Sequence, residues 1–165
     1  MKKVLFLFVF AILVSVNTYS QNIKEGIPKF AENLLAMSKE SSCKHLVNRG
    51  FKVLSEKEKL SLGYDKVSAA ITIVSMGDDG IICKIITSKD NKVNEVHVTS
   101  KYPNMKTVGS EYKTAGYKLD IDNSTMEEFI YLKQYGGYIY FAFIEHVITP
   151  NECIVSTEFR RGKKK

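Results

Sequence analysis

Tryptophan is absent from the 165 residues, and proline, cysteine and histidine occur only three times each. Three cysteines are too few for a disulfide-stapled miniprotein. So little proline, with ten glycines, excludes a collagen-like or low-complexity chain. With 44% hydrophobic and 25% charged residues, the chain can bury a core and is not disordered by composition. Catalytic signatures are missing as well: no Gly-x-Ser-x-Gly, His-Glu-x-x-His, Walker or Gly-x-Gly-x-x-Gly pattern occurs. Asp78-Asp79 sits in a Gly-flanked turn without the alternating oxygen ligands of a calcium loop, and reads as turn chemistry. No cofactor, metal site or catalytic residue is expected.

The N-terminus carries the clearest signal. Lys2 and Lys3 precede an uncharged run from Val4 to Val16, and Thr18 and Ser20 set small residues before a cut at Gln21. This order predicts a signal peptide over residues 1–20. The run is too short for a permanent membrane span, and the first cysteine, Cys43, is too far away to be a lipid-modified N-terminus. An exported protein, periplasmic or secreted and without a membrane anchor, is expected.

Removing that peptide lowers Lys+Arg from 24 to 22 against 18 Asp+Glu, a net charge of +4. Five of the positive charges, Arg160, Arg161, Lys163, Lys164 and Lys165, fall in the last six residues. Residues 161–165 therefore read as a solvated basic tail on a nearly neutral body, which argues against nucleic-acid binding. Cys83 and Cys153 fall at inward strand positions and read as small buried hydrophobes. Export would permit one disulfide among Cys43, Cys83 and Cys153, with the pairing unassigned.

The rest of the chain suggests an internal repeat: Gly50-Phe51-Lys52-Val53 against Gly116-Tyr117-Lys118-Leu119, each a helix end at glycine running into a strand. The first unit, residues 21–100, is expected as a helix over about 28–49, weakened at Ser41-Ser42, then strands at about 51–55, 66–76, 80–88 and 93–99. The second, residues 101–160, repeats the order with a helix over about 103–115 and strands at about 117–121, 127–134, 138–147 and 153–160. Gly77–Gly80 and Gly136-Gly137 mark hairpins. Thr125-x-x-Glu128 matches a capping box, but Phe129-Ile130-Tyr131 favours a strand over a helix. The expected fold is α+β: two tandem helix-plus-four-antiparallel-strand units with the helices packed on one sheet face.

Alternation along the strands puts Ile73, Cys83, Ile85, Ile130, Leu132, Ile139, Phe141, Phe143, Val155 and Phe159 toward the helices. The other face then carries Phe129, Tyr131, Tyr138 and Tyr140. Large, stiff aromatic side chains on an open sheet suit protein recognition, so these four are the candidate partner-binding residues. With this element order, the Gly50/Gly116 anchor and the Tyr19-Ser20-Gln21 signal end, the chain resembles the β-lactamase inhibitor protein architecture and the small periplasmic PepSY-type proteins of the Bacteroidetes. The resemblance implies a non-catalytic protein-binding module whose sheet face docks an enzyme to be inhibited. The chain departs from the inhibitor family in its cysteines, since three cannot give one disulfide per unit. Two alternatives remain: a small secreted hydrolase using Cys43 with His97 or His146 (His45 points to another side of the helix), and a structural homodimer that buries the aromatic face.

Overall fold

The computed structural model describes residues 23–150 and 152–164; the expected signal peptide lies outside them. The elements run α1 (Ile27–Leu35), α2 (Lys39–Asn48), β1 (Lys52–Val53), α3 (Glu56–Ser61), α4 (Lys66–Ile71), β2 (Thr72–Met76), a 3-10 turn (Asp78–Gly80), β3 (Ile82–Thr87), β4 (Val93–Tyr102), α5 (Met105–Thr114), β5 (Lys118–Leu119), β6 (Glu128–Tyr135), β7 (Tyr138–Ile148) and β8 (Cys153–Lys163). The eight strands form one antiparallel sheet in the order β1-β2-β3-β4-β8-β7-β6-β5. The protein is an α+β fold. The boundary expected between residues 100 and 101 falls inside β4, and β4 pairs directly with β8. No helix among the described residues is long and apolar enough to cross a membrane.

The helix layer forms because α1 and α5 each carry one apolar stripe. Ile27, Phe30, Ala31, Leu34 and Leu35 recur at helical spacing in α1 and are all buried. In α5, Val108 and Tyr112 are four residues apart and fully buried. Across the sheet, Ile73, Ile85, Val96, Phe159, Ala142 and Tyr131 follow one another in register and face these helices. Tyr112 stacks on Phe159 at 6.0 Å between ring centroids and donates a 2.8 Å hydrogen bond to Thr157 Oγ1. The ring thus fills the core while its hydroxyl stays satisfied.

Both α2 and α5 stop at a glycine with positive φ, 81° at Gly50 and 87° at Gly116. In each, the glycine N–H and the next residue's N–H bond back to the last helical turn: Gly50 to Val47 and Phe51 to Leu46, Gly116 to Lys113 and Tyr117 to Tyr112. This is the Schellman arrangement, which only glycine enters without strain. Each is followed by a two-residue strand, and these strands, β1 and β5, are the two edges of the sheet.

Several expectations need correction. The helix over 28–49 is two helices, broken at residues 36–38 rather than at Ser41-Ser42; Ser38 caps α2, accepting from Ser41 N–H. Residues 66–71 form a helix, not the first half of a strand, because Asp65 caps them by accepting from Ser68 N–H. Residues 56–61 form a helix that was not expected, started by a complete capping box at Ser55 and Glu58. The second such pattern behaves differently: Thr125 Oγ1 accepts from the N–H groups of Glu127 and Glu128, yet the chain then extends into β6 as expected. Residues 161–163 are not a solvated tail but the end of β8, with Arg161 opposite Tyr140 and Lys163 opposite Tyr138. All three cysteines are free.

The helices are not confined to one face. Thr72 and Val74 point away from α1 and α5, yet both are buried. The α3–α4 segment folds over that corner: Lys59 Nζ donates to Thr72 O at 2.8 Å, and Leu62–Asp65 share a cleft with Thr72, Lys84 and Ile86.

The capping box makes the start of α3 sensitive to acid. The Glu58 carboxylate accepts from Ser55 N–H, with Lys52 and the Ser55 hydroxyl adding to it, and its pKa falls to about 2. Because the folded value lies below the ordinary one, this contribution is complete above about pH 4.5 and is lost as pH falls through about 2. The melting-temperature difference between wild type and Glu58→Gln is expected to hold above pH 5 and close by about pH 2.

Candidate functional site

The face of the sheet opposite α1 and α5 is built by the register of the long strands. Ile86, Glu95, Arg160, Phe141 and Leu132 form one row across β3, β4, β8, β7 and β6, and Lys84, His97, Glu158, Phe143 and Ile130 form the next. The row beyond that pairs Glu145 with Glu128. Away from the α3–α4 corner, these side chains make up the open surface.

Its β6–β7 half is an apolar patch. Ile130, Leu132, Ile139, Phe141 and Phe143 are all partly exposed, and the two phenylalanine rings stack at 6.2 Å and 10°. The Arg160 guanidinium lies 5.9 Å from the Phe143 ring centroid, close enough for a cation–π contact.

The middle of the face is an ionic network. Arg160 Nε donates to Glu158, and its Nη2 is 3.4 Å from Glu95 Oε1. His97 lies between the same carboxylates, with Nε2 3.4 Å from Glu95 and Nδ1 3.9 Å from Glu158. One ligand atom each from Glu95, His97 and Glu158 lies within 4.8 Å of the others, a donor set that could hold a divalent cation. Arg160 already engages both carboxylates, so in this arrangement a guanidinium supplies the charge that a metal would. Half-exposed pairs of this kind contribute little to stability; their effect is to fix the Arg160 side chain beside Phe143.

The four aromatic residues singled out by alternation are on the other side. Tyr140 is buried, and Phe129, Tyr131 and Tyr138 pack against the core cluster. Tyr131 lies 5.2 Å from Tyr112 of α5. Phe129 stacks on His146 at 5.5 Å, and the Arg161 guanidinium covers Tyr138 at 4.5 Å. The structure thus brings the four onto one face, as expected, but onto the helix-facing one. The residues assigned inward in β6 and β7, Ile130, Leu132, Ile139, Phe141 and Phe143, are the ones left open. Because side chains alternate, one wrong parity inverts a whole strand.

Comparison with protein-family models, curated proteins and solved structures returns no match.

Cys43 lies on α2, partly buried against the core. Burial raises its pKa, against the opposing influence of Lys39 and Lys59, which keeps the thiol protonated and weakly nucleophilic. His97 points into the open face, on the other side of the sheet. His45 packs against Phe30 at 6.2 Å, and His146 is held by Phe129. Among the described residues none of the three forms a hydrogen bond with the Cys43 thiol.

Proposed function

We propose that this chain is an exported, non-catalytic binding protein that docks a protein partner on the open face of its sheet, through Phe141, Phe143, Ile130 and Leu132. The observation that carries the reading is the apolar patch itself. Five neighbouring apolar side chains, two of them stacked phenylalanines, stand partly exposed where neither α1 nor α5 covers them. Contiguous patches of this kind mark interaction surfaces, and a fixed Arg beside aromatic anchors matches the composition of binding hot spots. The signal-peptide order of residues 1–20 supports export.

The tandem-repeat reading belongs to the same proposal. It is supported by the shared Schellman endings at Gly50 and Gly116, by the edge strands that follow them, and by a strand order that runs inward from both edges to β4 and β8. On that reading the protein is an inhibitor-like module, with the docking surface on β6–β8 and Phe129, Tyr131, Tyr138 and Tyr140 acting as the scaffold beneath it.

The test uses mature protein as bait against native envelope and secreted fractions, beside Phe141→Ala/Phe143→Ala, with circular dichroism confirming that both fold. Each truncation is expected to weaken partner binding by about 1–2 kcal/mol. Equal retention of the partner by the double variant would reject this surface.

A further inference from the structure

The acidic end of the open face says what kind of partner fits it. Glu128 of β6 and Glu145 of β7 stand directly opposite each other on that face, one step along the strands from Ile130 and Phe143. With Glu127, Thr125, His146, Val147, Ile154 and Ser156 they line a cleft of about 590 Å³. Like charges placed directly across an antiparallel pair destabilise it. Among the described residues, no Lys or Arg pairs with Glu127, Glu128 or Glu145, whereas Glu158 and Glu95, on the next two strands, both pair with Arg160. The free protein therefore holds two facing carboxylates without a counter-cation, beside an apolar strip without a cover.

We infer that the docked partner segment is basic and apolar: a Lys or Arg side chain enters between Glu128 and Glu145 while neighbouring apolar side chains lie on Phe143, Ile130, Phe141 and Leu132. This rests on the docking reading above and names the partner's chemistry. A cation there would relieve the like-charge repulsion only in the complex, so the carboxylate pair favours the bound state over the free one. Charge at the rim of an apolar patch also steers association and selects the partner's register. Binding should weaken as salt rises.

The experiment uses mature protein and two fluorescein-labelled peptides, Lys-Ser-Lys-Ser-Leu-Ser-Phe-Ser-Leu and the same peptide with Glu for Lys, followed by anisotropy at 50 and 500 mM NaCl. The lysine peptide is expected to bind at least tenfold more tightly than the glutamate peptide, and to lose most of that advantage at high salt. Glu128→Gln/Glu145→Gln should weaken the lysine peptide about tenfold while raising the melting temperature by about 1–3 °C, and Glu40→Gln/Glu56→Gln should do neither. A lysine peptide that does not bind wild type, or that binds the Gln pair equally well, overturns the inference. If in that case Phe141→Ala/Phe143→Ala still lowers retention of the native partner, the docking face stands and only the partner's chemistry is wrong; if retention is unchanged, the face fails too. A mass that doubles with protein concentration and excludes the peptide would make the occupant a second copy, which also overturns it.

Discussion

Replacing Lys133 with methionine is expected to destabilise the protein by about 3 kcal/mol, measured by urea unfolding. Lys133 points from β6 toward the helices, and its Nζ lies 2.7 Å from Glu32 Oε1 of α1. Glu32 is 7% exposed and Lys133 16%. Removing the ammonium leaves a carboxylate in the core beside the Tyr117 hydroxyl, with no cation nearer among the described residues than Lys29, 3.8 Å away and largely in water. Breaking one side of a buried pair costs about 3–5 kcal/mol because the remaining charge is stranded, and Lys29 places the expected loss at the lower end. Lys29→Met should change stability by less than about 0.5 kcal/mol, as exposed pairs do. Combining Lys133→Met with Glu32→Gln should recover much of the loss, since no buried charge then remains. A loss below 1 kcal/mol for Lys133→Met would mean that the pair is solvated.

Gly26→Ala is expected to cost about 3 kcal/mol. Gly26 precedes α1 at φ 84° and ψ 156°, a region almost restricted to glycine that costs other residues about 1–3 kcal/mol. An added Cβ would also stand 2.8 Å from Glu111 Oε1. That oxygen accepts from Ile27 N–H at 2.6 Å, while Oε2 accepts from the Tyr102 hydroxyl at 2.6 Å. α1 has no side-chain cap of its own, so Glu111 of α5 caps it from across the helix layer, and the clash falls on the contact that joins α1, α5 and β4. Gly63→Ala, at φ 91° in the Schellman ending of α3 with nothing within 4 Å of the added Cβ, meets positive-φ strain without a clash and should cost less. In a Glu111→Ala background the penalty at Gly26 should shrink to its backbone strain alone. A Gly26→Ala penalty that is the same with and without Glu111 would show that Glu111 gives way freely.

The sequence made much of the sheet legible. Gly136-Gly137 forms the two-residue turn of the β6–β7 hairpin, with φ of 56° and 78°, because a type I′ turn needs positive φ at both positions. Cys83, Ile85, Val155 and Phe159 face the helices, since their strands alternate clearly with Lys84, Ser156 and Glu158. The segment over 66–76 was harder to read: Val67, Ile71 and Ile73 favour strand, and only Asp65-x-x-Ser68 signalled that a capped helix comes first. Ser55-x-x-Glu58 carried the same information for α3.

The candidate site was legible in composition but not in orientation. Phe129–Leu132 of β6 and Tyr138–Ile144 of β7 are apolar without a break, so periodicity does not choose a face. Lys133 misleads, because a charge at the parity of Phe129 and Tyr131 marks that side as wet, whereas the ammonium is inside with Glu32. The better signals lie in β7. Glu145 shares its parity with Phe141 and Phe143, and Ala142, at the opposite parity, is fully buried on the helix-facing side. The ionic network was hidden for a different reason: Glu95 and His97 meet Glu158 and Arg160 only because β4 pairs with β8, some sixty residues apart, and no local pattern carries that pairing.

Site-specific photo-crosslinking tests the docking surface most directly. A benzophenone amino acid replaces Phe143 in the native host, with a second protein carrying it at Val67, which is 72% exposed on α4, as the control. The account predicts a discrete adduct with another protein from position 143, diminished by Phe141→Ala, and no such adduct from position 67. No adduct at position 143, or the same adducts at both positions, would contradict it.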